Sequence, residues 1–124
     1  MIKMYRLPQE IEVWYIIPKI RKELAKELVE SHKWSYEKTG DSLGITKAAV
    51  SQYLKDKRGN KIKISKDIEK EIKLSAKRIF EKRSNSLIEI QNILRRMKET
   101  KCACNVCKKY NKEILNYCKC KPTY

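Results

Sequence analysis

Apolar residues recur at helical spacing along most of the chain. Ile17, Ile20, Leu24 and Leu28 fall three and four apart with Lys, Arg and Glu between them, which predicts a helix burying one stripe. Pro8 and Pro18 mark helix starts, because proline at the first helical position gives up a hydrogen bond that this position does not make. A short helix should therefore precede a longer one. Trp14, Tyr15 and Trp34 are expected as ordinary aromatics padding the same core.

From Ser35 the pattern shortens. Ser35 to Leu43 suits a two-turn helix, Gly44 suits the positive φ of a tight turn, and Thr46 suits the cap of a further helix reaching about Lys55. Lys57, Arg58, Gly59 and Asn60 read as a loop, and Lys61-Ile62-Lys63-Ile64 alternates at period two, as in a short extended piece or a wing-like arm. Ser65 then caps a long helix with Ile68, Ile72, Ile79 and Phe80 on one side, whose register breaks around Arg83-Ser84-Asn85. Ser86-Leu87-Ile88-Glu89 has the spacing of a capping box. Leu87, Ile90, Leu94 and Met97 follow as a heptad-like seam, suited either to the intramolecular core or to the same helix of a second subunit. The expected fold class is all-α.

The middle of this pattern reads as a helix-turn-helix. Gly40 takes the small-residue position where two helices cross, Gly44 takes the turn, and Leu43, Ile45, Val50 and Tyr53 face inward. Outward stand Thr46, Lys47, Ala48, Ser51, Gln52 and Lys55, a set rich in donors and free of acid. In a major groove Gln52 suits adenine N6 and N7, Ala48 a thymine methyl, and Lys47 guanine O6/N7 or a phosphate. Thr46 and Ser51 suit phosphate or either base, while Lys55, Lys57 and Arg58 are placed for backbone contacts that set register without reading sequence.

Charge strengthens this picture. Lys and Arg number 30 against 15 Asp and Glu, for a formal charge of +15 on 124 residues, which draws the chain toward polyanions. A Lys-rich composition from a hot environment would raise Glu in step, and Glu has not kept pace. The longest apolar run, Val13 to Ile17, is far short of the ~20 residues that span a bilayer, and no N-terminal stretch has signal-peptide form. A cytoplasmic protein without membrane contact is the expectation. Nothing suggests an enzyme: there is no carboxylate pair near a histidine, no Gly-rich phosphate loop and no Ser/His/Asp grouping. His32, the one histidine, reads as a helix-end residue.

Two stretches carry a family resemblance. Leu7-Pro8-Gln9-Glu10-Ile11-Glu12-Val13-Trp14-Tyr15-Ile16-Ile17-Pro18, followed by Ile20-Arg21-Lys22-Glu23-Leu24-Ala25, and the window Leu43-Gly44-Ile45-Thr46-Lys47-Ala48-Ala49-Val50-Ser51-Gln52-Tyr53-Leu54 resemble the archaeal predicted transcriptional regulators with a Cro-like helix-turn-helix. The same module occurs fused to thiamine-phosphate synthase domains. The resemblance implies a sequence-specific transcription factor, and since no synthase domain follows, no enzymatic role comes with it. Gly40 departs from the alanine common at the crossing position.

All five cysteines lie near the end of the chain, as Cys102, Cys104 and Cys107, a ten-residue spacer, then Cys118 and Cys120. In a reducing compartment, an odd and clustered set is better explained by thiolate ligation than by disulfides. Such donors select zinc, copper(I) or iron-sulfur clusters over magnesium and calcium. The neighbouring Lys101, Lys108, Lys109, Lys112, Lys119 and Lys121 favour thiolates. A four-iron cluster comes first, because its ligand spacing is loose and the layout is similar to that of SoxR-type iron-sulfur regulators. Structural zinc comes second, since only Cys104 and Cys107 have knuckle spacing. Copper(I) comes third, by likeness to CopY-type regulators with a shorter spacer. Four ligands suffice, so one of Cys102 and Cys120 is expected to be spare.

These expectations divide the chain into a DNA-binding unit over residues 1–64, a helical linker or dimerisation segment over 65–100 and a metal-binding tail over 101–124. Together they describe a homodimeric regulator on a pseudo-palindromic duplex operator, with an iron-sulfur cluster as sensor. A zinc-stabilised protein that binds nucleic acid without sequence selectivity is the rival.

Overall fold

The computed structural model describes residues 10, 12–55 and 64–99, and these form helices with no strand among them. Helix α1 is Ile17–Lys26, flanked by π-helical turns Glu12–Ile16 and Glu27–Ser31; α2 is Tyr36–Leu43, α3 Lys47–Leu54, α4 Lys66–Phe80 and α5 Ser86–Glu99. Pro8 and the residues 56–63, including most of the expected extended piece, lie outside the described residues, and so do all five cysteines. No helix of the described residues is long and apolar enough to cross a membrane.

Helix α1 is the hub, packing against each of α2, α3, α4 and α5. Its stripe is as expected: Ile20, Leu24 and Leu28 are wholly buried, Ile16 and Ala25 join them, and Ile17 packs partly against the same core. Each such aliphatic side chain contributes about 1.5–3 kcal/mol by leaving water. The core is one cluster from Ile16 to Met97, so helices on both sides of residues 56–63 share it.

Pro18 stands in the first turn of α1, as expected, but the chain is already helical before it. Ile16 already has helical dihedrals (φ −78°, ψ −52°), and the chain enters α1 through the π-helical turn with Pro18 near the start. A proline ring presses on the carbonyl four residues back, and the wider turn relieves that clash. Trp14 also departs from expectation: it is half-exposed, whereas Tyr15 and Trp34 pack on the core.

Three helices stop in the same way. After α2, Gly44 turns left-handed (φ 71°, ψ 30°) and the Ile45 N–H donates to the Gly40 carbonyl at 2.9 Å. After α4, Lys82 is left-handed (φ 60°), with Arg83 N–H donating to the Arg78 carbonyl at 2.9 Å and Lys82 N–H to that of Ile79 at 3.1 Å. These are Schellman closures. A version widened by one residue ends the first helix, where Lys33 is left-handed (φ 61°) and Trp34 N–H reaches the Leu28 carbonyl at 3.0 Å.

The last two helices keep the expected buried side and each departs from it at one position. On α4, Ile68, Ile72, Ala76 and Ile79 are buried, while Phe80 lies at the rim, stacked on His32 with ring centroids 4.4 Å apart. On α5, Ile93, Leu94 and Met97 enter the core and Ile90 packs partly, but Leu87 is 78% exposed. The expected seam thus completes the intramolecular core, with Ile93 in place of Leu87.

The capping box at Ser86 does not form. Asn85 is the cap, its Oδ1 accepting from Ile88 N–H at 3.0 Å. The Ser86 hydroxyl instead donates to the Ser42 carbonyl at 2.7 Å, tying α5 to α2, and the Glu89 carboxylate turns inward to Arg78.

Candidate nucleic-acid interface

Helix α3 starts where its cap dictates. Thr46 is extended (φ −79°, ψ 159°) and its Oγ1 accepts from Ala49 N–H at 3.0 Å, satisfying one of the free donors of the first turn. Ser35 does the same for α2, accepting from Lys38 N–H at 3.1 Å, and Ser65 for α4, accepting from Ile68 N–H at 3.4 Å.

The approach of α2 to α3 is set by Gly40. A Cβ added there would stand 2.7 Å from the Ile45 carbonyl oxygen and 3.3 Å from the Thr46 carbonyl carbon. Alanine would not fit without a shift, so glycine at this position permits a closer crossing rather than merely weakening α2. Gly44 is retained for another reason, its left-handed φ, since a Cβ there would meet nothing within 4 Å.

The packing of α3 on α1 and α2 fixes its rotation. Val50 is wholly buried and Ala49 and Tyr53 nearly so, which commits one side of the helix to the core. The opposite side carries Ala48, Ser51, Gln52 and Lys55 at spacings of three, one and three, a single stripe on a helix. Thr46, Lys47, Ala48 and Lys55 are exposed, and Ser51 and Gln52 are half-buried along the edge. Of the eight expected contact residues, four thus share one stripe, and Thr46 and Lys47 are exposed at the start of the helix. Lys57 and Arg58 lie outside the described residues.

Along α3 this surface carries lysine and no acid. The first turn of α3 carries no acid, and its free N–H groups add the positive end of the helix dipole. Thr46 still has a hydroxyl proton to donate, because capping uses only its oxygen as acceptor. Beside α2, Lys38 Nζ sits 4.6 Å from the Trp34 ring centroid, a cation–π contact that holds this lysine near the start of α2.

No family model, curated protein or solved structure matches the chain.

Among the described residues no group of three or more His, Cys, Asp or Glu side chains is placed to hold a metal ion. The expected ligands Cys102, Cys104, Cys107, Cys118 and Cys120 lie outside those residues. Sequence reasoning missed one polar centre inside the fold, the pair Arg78 and Glu89. Eleven residues and a helix break separate the two in sequence, so no local spacing marks the pair.

Proposed function

We propose that the chain is a sequence-specific DNA-binding regulator in which α2, the Gly44 turn and α3 act as a helix-turn-helix. The observation that carries this reading is the acid-free stripe Ala48, Ser51, Gln52 and Lys55, held outward by the burial of Val50 and Tyr53. An α-helix fits the major groove, where an amide such as Gln52 reads adenine and a small apolar side chain such as Ala48 meets thymine. Lys47 and Lys55, with Lys57 and Arg58, supply phosphate contacts. The formal charge of +15 adds affinity that falls with salt. The resemblance to archaeal regulators with a Cro-like helix-turn-helix points the same way.

In this reading the protein works as a cytoplasmic homodimer on a pseudo-palindromic operator, with half-sites about 10 base pairs apart or a multiple of that. It binds rather than catalyses. Four of the five clustered cysteines hold a soft metal centre, an iron-sulfur cluster of the four-iron type before zinc or copper(I), and its loading or oxidation changes DNA affinity. Any such coupling requires the centre to interact differently with the DNA-competent and incompetent forms.

Protein purified without oxygen tests the centre directly. A brown sample absorbing near ~400 nm identifies a cluster, and a colourless one with bound zinc replaces it. Operator affinity measured for loaded, oxidised and metal-free protein then tests the sensor, and equal affinity in all three reduces the tail to a scaffold. The charge itself supports the rival of a zinc-stabilised, sequence-blind nucleic-acid binder. That rival predicts the same affinity for unrelated DNA sequences.

A further inference from the structure

The start of α5 exposes apolar surface that no part of the described fold covers. Leu87 is 78% and Ile88 51% exposed, adjacent on the first turn. Beside them opens a cleft of about 410 Å³ where α1, the end of α2 and α5 meet, lined by Arg21, Asp41, Leu43, Asn85, Ser86 and Leu87 among others. The bond from Ser86 to the Ser42 carbonyl, 2.7 Å long, ties two of these elements together, so the cleft has a fixed wall.

Two charges of opposite sign border this cleft, and neither is neutralised by an ion pair among the described residues. Asp41 is exposed. Arg21 is half-buried, and its Nε–H is buried without an acceptor among those residues. A protruding leucine, a hollow, one cation and one anion thus share a single patch.

We propose that this patch is the contact with a second copy of the chain. In a two-fold arrangement the same surface meets itself, so whatever one copy presents the other must receive. Leu87 of one copy then enters the cleft of its partner, and Arg21 of each faces Asp41 of the other. The patch thus offers itself both partners of each contact, an apolar side chain with a hollow and a cation with an anion. A small ligand would fill the hollow but leave the projecting Leu87 and Ile88 in water. The patch forms the centre of the interface, because specific contacts bury about 800 Å² per partner. This inference rests on the dimeric part of the proposed function and names the surface for it, in place of the seam that the core has taken up.

Sedimentation of the full chain without DNA tests it, with circular dichroism as the check on folding. Wild-type protein should be a dimer. Leu87→Glu, at an exposed position, should raise the dimer dissociation constant at least tenfold with unchanged helix content. Arg21→Glu and Asp41→Lys should each do the same alone, since each homodimer then opposes like charges. Mixing these two variants should restore the dimer, because in the mixed pair both contacts again join opposite charges. Should Arg21→Glu unfold, Leu87→Glu and Asp41→Lys decide the matter. A wild-type dimer indifferent to Leu87→Glu and Asp41→Lys overturns this surface and leaves the dimeric reading intact. A wild-type monomer overturns both, while half-site binding by α3 is measured separately.

Discussion

Arg78 holds Glu89 across the junction of α4 and α5 with two donors on one oxygen, Nε at 3.0 Å and Nη2 at 2.8 Å from Oε1. The partners are unequally placed: the Glu89 side chain is 2% exposed and that of Arg78 31%, with Glu71 a further 3.8 Å from the guanidinium. Removal should therefore be asymmetric. Arg78→Ala strands a carboxylate inside the fold and should cost about 3–5 kcal/mol. Glu89→Ala leaves an arginine that turns toward water and should cost about 1–3 kcal/mol. Urea unfolding of the two variants checks the order.

The same pair gives the fold an acid limb. Burial pushes the Glu89 carboxyl up, but the Arg78 guanidinium and the hydroxyls of Ser84 and Ser75 outweigh it, so its pKa lies below the ordinary carboxylate range. Arg78 moves further up, chiefly through its hydrogen bond to Glu89, and stays charged at any ordinary pH. A depressed folded pKa means that the pair stabilises fully above the unfolded value of about 4.3 and loses its contribution as pH falls through the folded value. Thermal melts from neutral to acid pH should show this loss, and Glu89→Gln should flatten it.

The helix stops make a second ordered set. Gly40→Ala forces a Cβ to 2.7 Å from a backbone oxygen and should destabilise by about 1–3 kcal/mol despite the helix preference of alanine. Gly44→Ala meets no atom but strains a φ of 71°, at a cost of about 1 kcal/mol. Lys82→Gly should stabilise by up to about 1 kcal/mol, since glycine relieves the left-handed strain at φ 60°. Denaturation midpoints of the three variants give the sign of each effect.

At the start of α5 the cap and the tether separate cleanly. Asn85→Ala should cost about 1 kcal/mol as the loss of a helix cap. Ser86→Ala leaves the Ser42 carbonyl without its hydroxyl donor and should cost about 1–3 kcal/mol. Were Ser86 the cap, a double variant would lose little more than Ser86→Ala alone. With separate partners for the two side chains, the double variant should lose clearly more than Ser86→Ala alone, as a double-mutant cycle measures.

Local chemistry explains why the front of the fold was legible and the back less so. Ser35, Thr46, Ser65 and Gly44 act on backbone groups within a few residues, so their roles follow from the sequence beside them. The stripe Ile20, Leu24 and Leu28 is similarly self-evident, because α1 is surrounded by partners. Glu89 could not be read this way: its spacing from Ser86 offers a cap, and only the tertiary approach of Arg78 offers something stronger. The phase of α5, with Leu87 out and Ile93 in, likewise depends on how that helix leans on α1 and α4. For α3 the sequence indicated which residues point outward, and the burial of Val50 and Tyr53 agrees.

Sequence recognition in the proposed function falls to the outward stripe of α3. Selection from random duplex DNA, followed by affinity measurements with wild-type and Gln52→Ala protein, tests it most directly. An enriched sequence with inverted symmetry is expected, with a loss of about 1–3 kcal/mol on that sequence for Gln52→Ala and unchanged binding to unrelated DNA. No enriched sequence, or equal affinity of both proteins for selected and random DNA, would contradict it.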